Sequence, residues 1–326
     1  MNVIAQAQFK TGVRRYEMTE AERKIRVEAA AAFRLAHHYR WNLQINNHIC
    51  VRIPDRPDHF LMNPYGLGWD EITASNLATV RMDGDRREIV SHDGVTLGPA
   101  GLNFHSGILA ARPEINCTMH VHARPGVAVA ATKQGLIIVD QSSMHLYGEV
   151  GTHNFEGFAE GEDEVPRILR DLGDKHCLIM WNHGLLSIGR TIAESFLYMR
   201  RLVDACELQI QLMSMGTEIR HIPQDVLETT RQQIAEKRKS PKYAQVEWDY
   251  HCRLAERLDP GHRPAVRHPD QGRGAAPHWR RGPSRTPAGP SLGYRGARQP
   301  DAGRRAGHHR HLHDRYPGRI ARPVAA

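Results

Sequence analysis

The stretch GLNFHSGILAARPEINCTMHVHARPGVAVAAT, residues 101–132, decides the fold. Its apolar residues recur at helical spacing over 102–111, and Pro113 follows, so a helix is predicted to end before that proline. The residues CTMHV (117–121) predict a buried strand, and residues 126–132 predict a second helix. Alternating helices and strands with short connections imply a layered α/β domain.

A second informative stretch is LIMWNHGLLSIGRTIAESFLYMRRLVDAC, residues 178–206. A strand is predicted over 176–181, and it ends in a polar turn before an apolar return, LLSI. The long helix predicted over 191–213 begins with a capping box, in which Thr191 and Glu194 lie three residues apart.

Further elements are predicted on either side of these stretches. The helix over 19–40 also begins with a capping box, formed by Thr19 and Glu22. Strands are predicted over 48–53, 59–64 and 136–139, helices over 165–172 and 224–238, and a hairpin turn at Asp83-Gly84.

Three histidines carry the predicted chemistry. Because side chains alternate along a strand, His120 and His122 lie on one face, which is how a sheet offers two nitrogen ligands to one metal. His183 follows the next predicted strand at a turn, where loops often carry function. Taken singly, these residues also fit hydrogen-bonded structural histidines. Together they offer three ligands and an open position, which is typical of a catalytic metal site.

Both stretches resemble the class II aldolase/adducin head-domain family. The resemblance extends to residues 32–52 and 59–77 and covers roughly residues 20–215. It implies a three-layer α/β fold in which helices flank a central, largely antiparallel sheet, and it implies homo-oligomers, often tetramers, with sites at subunit contacts. By this resemblance His120, His122 and His183 bind one divalent metal, for which we expect Zn, with Fe(II) or Mn as alternatives.

This sequence departs from the sugar-phosphate aldolases of the family. Gly101 stands where those enzymes carry a Glu that is both metal ligand and base. The positions of their phosphate pocket hold His48, Tyr65-Gly66 and Pro99-Ala100, so that only Gly66 survives as a substrate-binding residue of that pocket. We therefore expect a substrate without phosphate.

Other residues are candidates to complete the site. The family's tyrosine acid falls near Gln141, a candidate for substrate binding, and Tyr147 is the nearest catalytic substitute. His105 lies four residues after Gly101 on the same helix face and is a candidate acid/base or a fourth metal group, or else a buried structural histidine.

Two further residues are candidates to contact substrate. His48 would occupy the vacated phosphate pocket, or else it packs at a strand end. Arg124 shares the histidines' face if the chain stays extended, and would then pair with a substrate carboxylate rather than with a surface acid.

These residues favour a metal-dependent lyase that acts on a small hydroxy- or oxo-acid. Loss of the Glu base affects proton abstraction more than decarboxylation, so a decarboxylase or a non-phosphate aldolase is preferred. A non-haem iron oxygenase remains an alternative, since three histidines with open positions also suit Fe(II). The other alternative is an adducin-like assembly module for the cytoskeleton, which by the resemblance also lacks the Glu.

The composition divides the chain near residue 260. Residues 260–326 carry a net charge of +11 without Lys or Glu, whereas the whole chain carries +8. We expect an N-terminal arm over 1–18, one domain over 19–259 and a disordered tail over 260–326. That tail is an arginine-rich binder of nucleic acid or acidic surfaces, a solvated extension, or an out-of-frame translation product.

The remaining features of the sequence predict the cellular location and the partners of the protein. With no apolar run of 18 residues, no signal-like start and five dispersed cysteines, we expect a cytoplasmic protein with reduced thiols and no membrane partner. We expect its partners to be a small-molecule substrate and further copies of itself. A nucleic-acid partner is not expected, because such a role would depend on the tail alone.

Overall fold

The computed structural model describes residues 16–92, 94–157 and 163–262. The predicted arm and tail lie outside the described residues, apart from residues 16–18 and 260–262. Within the described ranges the helices are α1 (Glu20–His38), α2 (Pro99–Ala111), α3 (Arg124–Ala130), α4 (Val165–Leu172), α5 (Ile192–Ser214), α6 (Gln224–Arg238) and α7 (Gln245–Leu258). The strands are β1 (His48–Ile53), β2 (Arg56–Met62), β3 (Ala78–Asp83), β4 (Arg86–Ile89), β5 (Cys117–Val121), β6 (Val150–His153), β7 (Cys177–Met180) and β8 (Gly184–Gly189).

The strands form one eight-stranded sheet in the order β4-β3-β2-β1-β5-β8-β7-β6. Every described strand pair is antiparallel except β6 with β7. The predicted α/β class with a largely antiparallel central sheet is therefore confirmed. The central pairing of β1 with β5 sets His48 directly opposite His120, and this register builds the floor of the site.

Helices cover both faces of the sheet, so the predicted three layers are confirmed. Cys117, Met119 and Val121 of β5 point into a core shared with α1, α3, α5 and α7. The other face packs against α2 and α4 through a second core. Because side chains alternate along β5, Thr118 and His120 point to this second face, where the ring centroids of Phe104 and His120 lie 5.7 Å apart.

Both predicted N-caps are present. The Thr19 hydroxyl accepts a hydrogen bond from the Glu22 N–H at 3.1 Å, and Thr191 accepts one from Glu194 at the same distance. Each bond satisfies one of the backbone donors that the first turn of a helix leaves unpaired. Both helices therefore begin where the sequence predicts.

One prediction of local structure is wrong, and the condition set for Arg124 is not met. Residues 136–139 form no strand, because their N–H groups bond to side chains: Ile137 donates to Gln209 of α5 at 2.8 Å and Val139 donates to the Ser143 hydroxyl at 3.2 Å. Gln209 also donates to the preceding Gly135 carbonyl at 2.8 Å. The chain also does not stay extended to Arg124. Arg124 is the first residue of α3, with Pro125 in the first turn, where proline is tolerated.

Residues 260–262 were expected to belong to the tail, but they lie against the domain. Pro260–His262 forms a short 3-10 helix, and the carbonyl of His262 accepts from the Ala74 N–H at 3.1 Å. His262 is buried. Of the described helices, none has both the length and the apolarity needed to cross a bilayer.

An ion-pair cluster attaches α6 to the sheet and should make stability depend on pH. Glu149 accepts hydrogen bonds from Arg238 and from His176 Nδ1, the latter at 2.6 Å. Burial alone would raise the pKa of Glu149, but these bonds outweigh it and lower the pKa to about 2. A carboxylate whose pKa is lowered by folding stabilises the fold above its unfolded pKa. That contribution is lost as the pH falls from about 4.5 towards 2.

We expect Glu149→Gln to reduce the free energy of unfolding at pH 7 by about 1–3 kcal/mol, since it weakens two charge-assisted hydrogen bonds. Urea unfolding of both proteins between pH 7 and pH 2.5 measures this difference. The difference should shrink below about pH 4.5. Glu228→Gln, on the exposed face of α6, is the control and should change little. A difference that stays constant across the acidic range would contradict the prediction.

Candidate metal centre

Strands β5, β7 and β8 bring three histidines together at one end of the sheet. The Nε2 atoms of His120 and His122 lie 2.9 Å apart, and the ring of His183 lies 4.8 Å from each of their rings. One nitrogen from each of the three residues falls within a group no wider than 4.8 Å. The structure therefore places the three predicted ligands close enough to bind one ion.

His120 is oriented by the backbone behind it. Its Nδ1–H donates to the Leu185 carbonyl at 3.1 Å, a bond between neighbouring strands. That bond fixes the tautomer, so that Nε2, which lies 2.9 Å from His122 Nε2, is the nitrogen that carries the lone pair. A backbone carbonyl in this position is a common partner for a metal-binding histidine.

His183 depends on the tight turn between β7 and β8. Asn182 adopts a left-handed backbone conformation with φ of 55°, which asparagine tolerates better than most residues. The His183 N–H then donates to the Met180 carbonyl at 3.1 Å and closes the turn. Asn182 therefore shapes the turn, and the turn places His183 as a candidate metal ligand.

Gly184 is required by the approach of β8 to the histidines. A Cβ at this position would lie 2.6 Å from both the Cδ2 of His122 and the Val121 carbonyl oxygen. Such contacts are too short for any real side chain, so only glycine fits without moving the ring.

The histidines of the centre are neutral at neutral pH. Burial and then repulsion from His183 lower the pKa of His122 to about 4. Burial also lowers the pKa of His120 and that of His183; the second cause is repulsion from His183 and His122 for His120, and repulsion from His153 for His183. Neutral imidazoles keep the lone pairs that a metal ion needs. The donor set of the site therefore suits a divalent cation of the zinc or iron type.

The centre lies in the wall of a cavity of about 470 Å³. Most of the lining is apolar and includes Met62, Phe104, Ile168 and Met180. Asn47 and Asn63 supply polar atoms. Among the described residues that line the cavity there is no Lys, Arg, Asp or Glu. This composition suits a small substrate that loses most of its hydration water on binding. A phosphate group would meet no cationic side chain in the cavity.

His48 occupies the space that a side chain at position 101 would need. A Cβ on Gly101 would lie 2.5 Å from His48 Cδ2 and 2.7 Å from its Nε2. His48 lines the cavity, and its ring stacks on that of His120 with centroids 5.1 Å apart. Burial, followed by repulsion from His122 and His183, lowers the pKa of His48 to about 3. The glycine and the histidine are thus a complementary pair.

Of the other predicted site residues, His105 and Gly66 adjoin residues that line the cavity, and three lie outside the described lining. His105 lies behind His48, with both ring nitrogens hydrogen-bonded. Gly66 follows the lining residue Tyr65 and has a φ of 98°. The remaining three, which do not belong to the described lining, are Arg124, Gln141 and Tyr147. Tyr147 accepts a hydrogen bond from the Gln224 side chain at 2.6 Å. Their roles stay predictions.

Phe155 was not predicted, yet its ring lies 5.9 Å from that of His183 and it lines the cavity. Its neighbour His153, by contrast, points to α4 and is hydrogen-bonded to Asp171 at 2.8 Å and Glu164 at 3.1 Å. A half-exposed aromatic residue two positions past a strand end gives little signal in sequence alone. Its role depends on the pairing of β6 with β7.

The pair formed by Gly101 and His48 leads to a testable prediction. We expect Gly101→Ala to reduce the free energy of unfolding by about 1–3 kcal/mol, because the new methyl group would overlap the His48 ring. In a His48→Asn background the same change should be neutral, or stabilising by up to about 1 kcal/mol, since alanine favours the helix.

Urea unfolding of the four proteins measures the coupling between the two positions. Equal effects of Gly101→Ala in the two backgrounds would show that the contact does not constrain the helix.

The fold and the three-histidine centre together define a class: helix-flanked, largely antiparallel α/β domains with a group of candidate metal ligands at the end of the central strands. The family model of the class II aldolase and adducin N-terminal domain matches residues 27–210. The chain belongs to this family.

The individual relatives include both proteins named as class 2 aldolases and proteins named as adducins. A Pseudomonas aeruginosa protein whose name assigns it to aldolase class 2 is 36% identical over 249 residues, which is 76% of this chain and 95% of that protein. Alpha-adducin of Rattus norvegicus is 40% identical over 198 residues, which is 60% of this chain but 26% of the adducin.

A solved structure agrees with this placement. The crystal structure of an aldolase II superfamily protein from Pseudomonas syringae has a TM-score of 0.70 and 36% sequence identity. The match covers 77% of this chain and 99% of that one. The alignment therefore extends over nearly the whole of the Pseudomonas syringae domain.

Proposed function

We propose that this protein is a metal-dependent carbon–carbon lyase that acts on a small, non-phosphorylated hydroxy- or oxo-acid. The observation that carries the proposal is the group of three neutral histidines in the wall of an apolar cavity. His120, His122 and His183 would hold the ion, with Zn expected and Fe(II) or Mn as alternatives. A bound divalent cation supplies Lewis-acid stabilisation of negative charge on a substrate oxygen.

The lining supports a substrate without phosphate. The cavity wall lacks Lys and Arg among its described residues, so a phosphate group would meet no cationic side chain there. The uncapped first turn of α2, which also lines the cavity, is the part of the wall that could bind an anionic group such as a carboxylate. The apolar side chains of Met62, Phe104 and Met180 exclude water, which strengthens electrostatic interactions inside the site.

The missing carboxylate supports decarboxylation or a non-phosphate aldol cleavage. Gly101 offers no base, and His48 fills the space beside it. A reaction in which the carbon–carbon bond breaks by loss of carbon dioxide forms its carbanion without a base. This difference favours decarboxylase chemistry over deprotonation next to a carbonyl.

Metal binding tests the proposal. The full-length protein is stripped with a chelator, reconstituted separately with Zn, Mn and Fe(II), desalted and measured by elemental analysis. We expect close to one ion per chain for at least one metal. The lyase proposal fails if none of the three is retained.

Two other functions would be separated by the same preparation. The 40% identity to alpha-adducin favours an assembly module as the second candidate, and absence of metal binding would support it. Oxygen consumption by the Fe(II)-loaded protein with hydroxy- or oxo-acids would replace the lyase with an oxygenase. Release of carbon dioxide or an aldehyde without oxygen uptake would support the lyase.

We also propose that the protein works in the cytoplasm as a homo-oligomer, with a tetramer as the expected state. The family resemblance supports the homo-oligomer, and the cysteines, none of which forms a disulfide in the described part of the chain, support the cytoplasm. Sedimentation analysis of the full-length protein measures its assembly state.

A further inference from the structure

A hydrogen-bonded chain runs from the middle of the sheet to the cavity wall. Thr118 Oγ1 on β5 lies 2.6 Å from His105 Nδ1, and His105 Nε2 lies 2.7 Å from His48 Nδ1. Thr118 and His105 are completely buried, whereas His48 lines the cavity. The chain therefore connects an inaccessible hydroxyl to a ring that faces the substrate space.

The Thr118 hydroxyl sets the direction of this chain. Within the described part of the protein, His105 is the one hydrogen-bond partner of Thr118 Oγ1. A buried hydroxyl proton without an acceptor is costly, so Thr118 donates to His105 Nδ1. His105 must then carry its proton on Nε2, because a neutral imidazole has one donor and one acceptor. That proton points to His48, where both Nδ1 and the backbone can accept it. His48 Nδ1, which lies 2.7 Å from the protonated nitrogen, can then carry no proton of its own, so His48 is protonated on Nε2.

We propose that Thr118 and His105 hold His48 in the tautomer protonated on Nε2, so that His48 presents a fixed N–H donor to the cavity. An acceptor oxygen of the substrate, from a carboxylate or a carbonyl group, binds to this donor beside the histidine centre. His48 is then a substrate-binding residue and not a base or a metal ligand. Thr118 and His105 are positioning residues that act through it.

The small residue at position 101 is part of the same arrangement. His48 lies within 2.7 Å of the place of a Gly101 Cβ, so the ring takes this position only because no side chain is present. Its stacking on His120 brings the donor next to the three-histidine centre. The role of the donor towards substrate rests on the proposed function, whereas the tautomer does not.

Nitrogen NMR of the metal-free, full-length protein tests the tautomer. Two-bond ¹⁵N–¹H correlations show which ring nitrogen carries the proton, and the signals of the two rings are identified by their loss in His48→Gln and His105→Gln. We expect both rings to be protonated on Nε2. Thr118→Val should release this preference in His105, and Thr118→Ser, which keeps the hydroxyl, should restore it. A wild-type His48 protonated on Nδ1 would overturn the inference.

Oxalate binding to the zinc-loaded protein tests the role of the donor. Calorimetry should show an affinity about fivefold lower in Thr118→Val and within about twofold of wild type in Thr118→Ser, since one oriented hydrogen bond is worth about 1 kcal/mol. Unchanged affinity in Thr118→Val would contradict the role towards substrate. Failure to take up zinc would refute the proposed function while leaving the tautomer measurement intact, so the two failures are distinguishable.

Discussion

Replacement of His183 by alanine is expected to lower the affinity for a divalent metal at least about 100-fold. Loss of a group that merely orients a ligand costs about 10–100-fold, and loss of one ligand of three should cost more. Bound metal should fall from near one ion per chain to a small fraction after desalting. Elemental analysis and competition with a chromophoric chelator measure the change.

The fold should survive this substitution. The turn at His183 is closed by a backbone bond, from its N–H to the Met180 carbonyl, and alanine preserves that bond. Circular dichroism of the variant checks this point. His59→Gln is the matched control, because His59 lies on β2 beside Asp58 and outside the cavity. Full metal occupancy in His183→Ala would remove this residue from the centre.

Gly184→Ala is expected to reduce metal affinity by about 10–100-fold, although residue 184 contributes no ligand. The added methyl group would lie 2.6 Å from the His122 ring and equally close to the Val121 carbonyl. Movement of the ring would relieve only the first contact, and the second requires β5 and β8 to shift at this point; either displacement disturbs the alignment of the ligands. Loss of a group that orients a metal ligand lowers metal affinity about 10–100-fold, and a displaced ligand ring should cost a similar amount.

Gly98→Ala is the control for this prediction. Gly98 also lines the cavity, but a Cβ there would lie 3.7 Å from the Tyr65 ring, an ordinary van der Waals contact. Chelator competition should therefore give wild-type affinity for Gly98→Ala and a clear loss for Gly184→Ala. Equal affinities for the two variants would show that the close approach of β8 does not hold His122 in place.

Much of the fold follows from local patterns. The alternation in CTMHV predicts β5 with its observed limits, and the capping residues Thr19 and Thr191 mark the starts of α1 and α5. Each of these signals spans only a few neighbouring residues, so the local sequence is enough to predict the element. The strand predicted at 136–139 is absent for a reason that no local pattern shows. The side chain that bonds Ile137 of this segment belongs to Gln209, some seventy residues away in the sequence.

The candidate site was predictable only in part for the same reason. His120 and His122 are separated by one residue in a strand, so their proximity follows from the sequence. The contact between His48 and His105 requires both the β1–β5 register and the position of α2. The signal that could have led to it is Gly101, since the loss of a bulky residue leaves space that another side chain must fill.

The register that places His48 opposite His120 also has a consequence for how the protein folds. It joins strands that are about seventy residues apart, and closing such a loop is entropically costly, which slows folding. During synthesis His120 and His122 would leave the ribosome well before His183, so the centre cannot form until β5 and β8 have paired. A cation that meets only the finished centre should slow unfolding while leaving the refolding rate nearly unchanged.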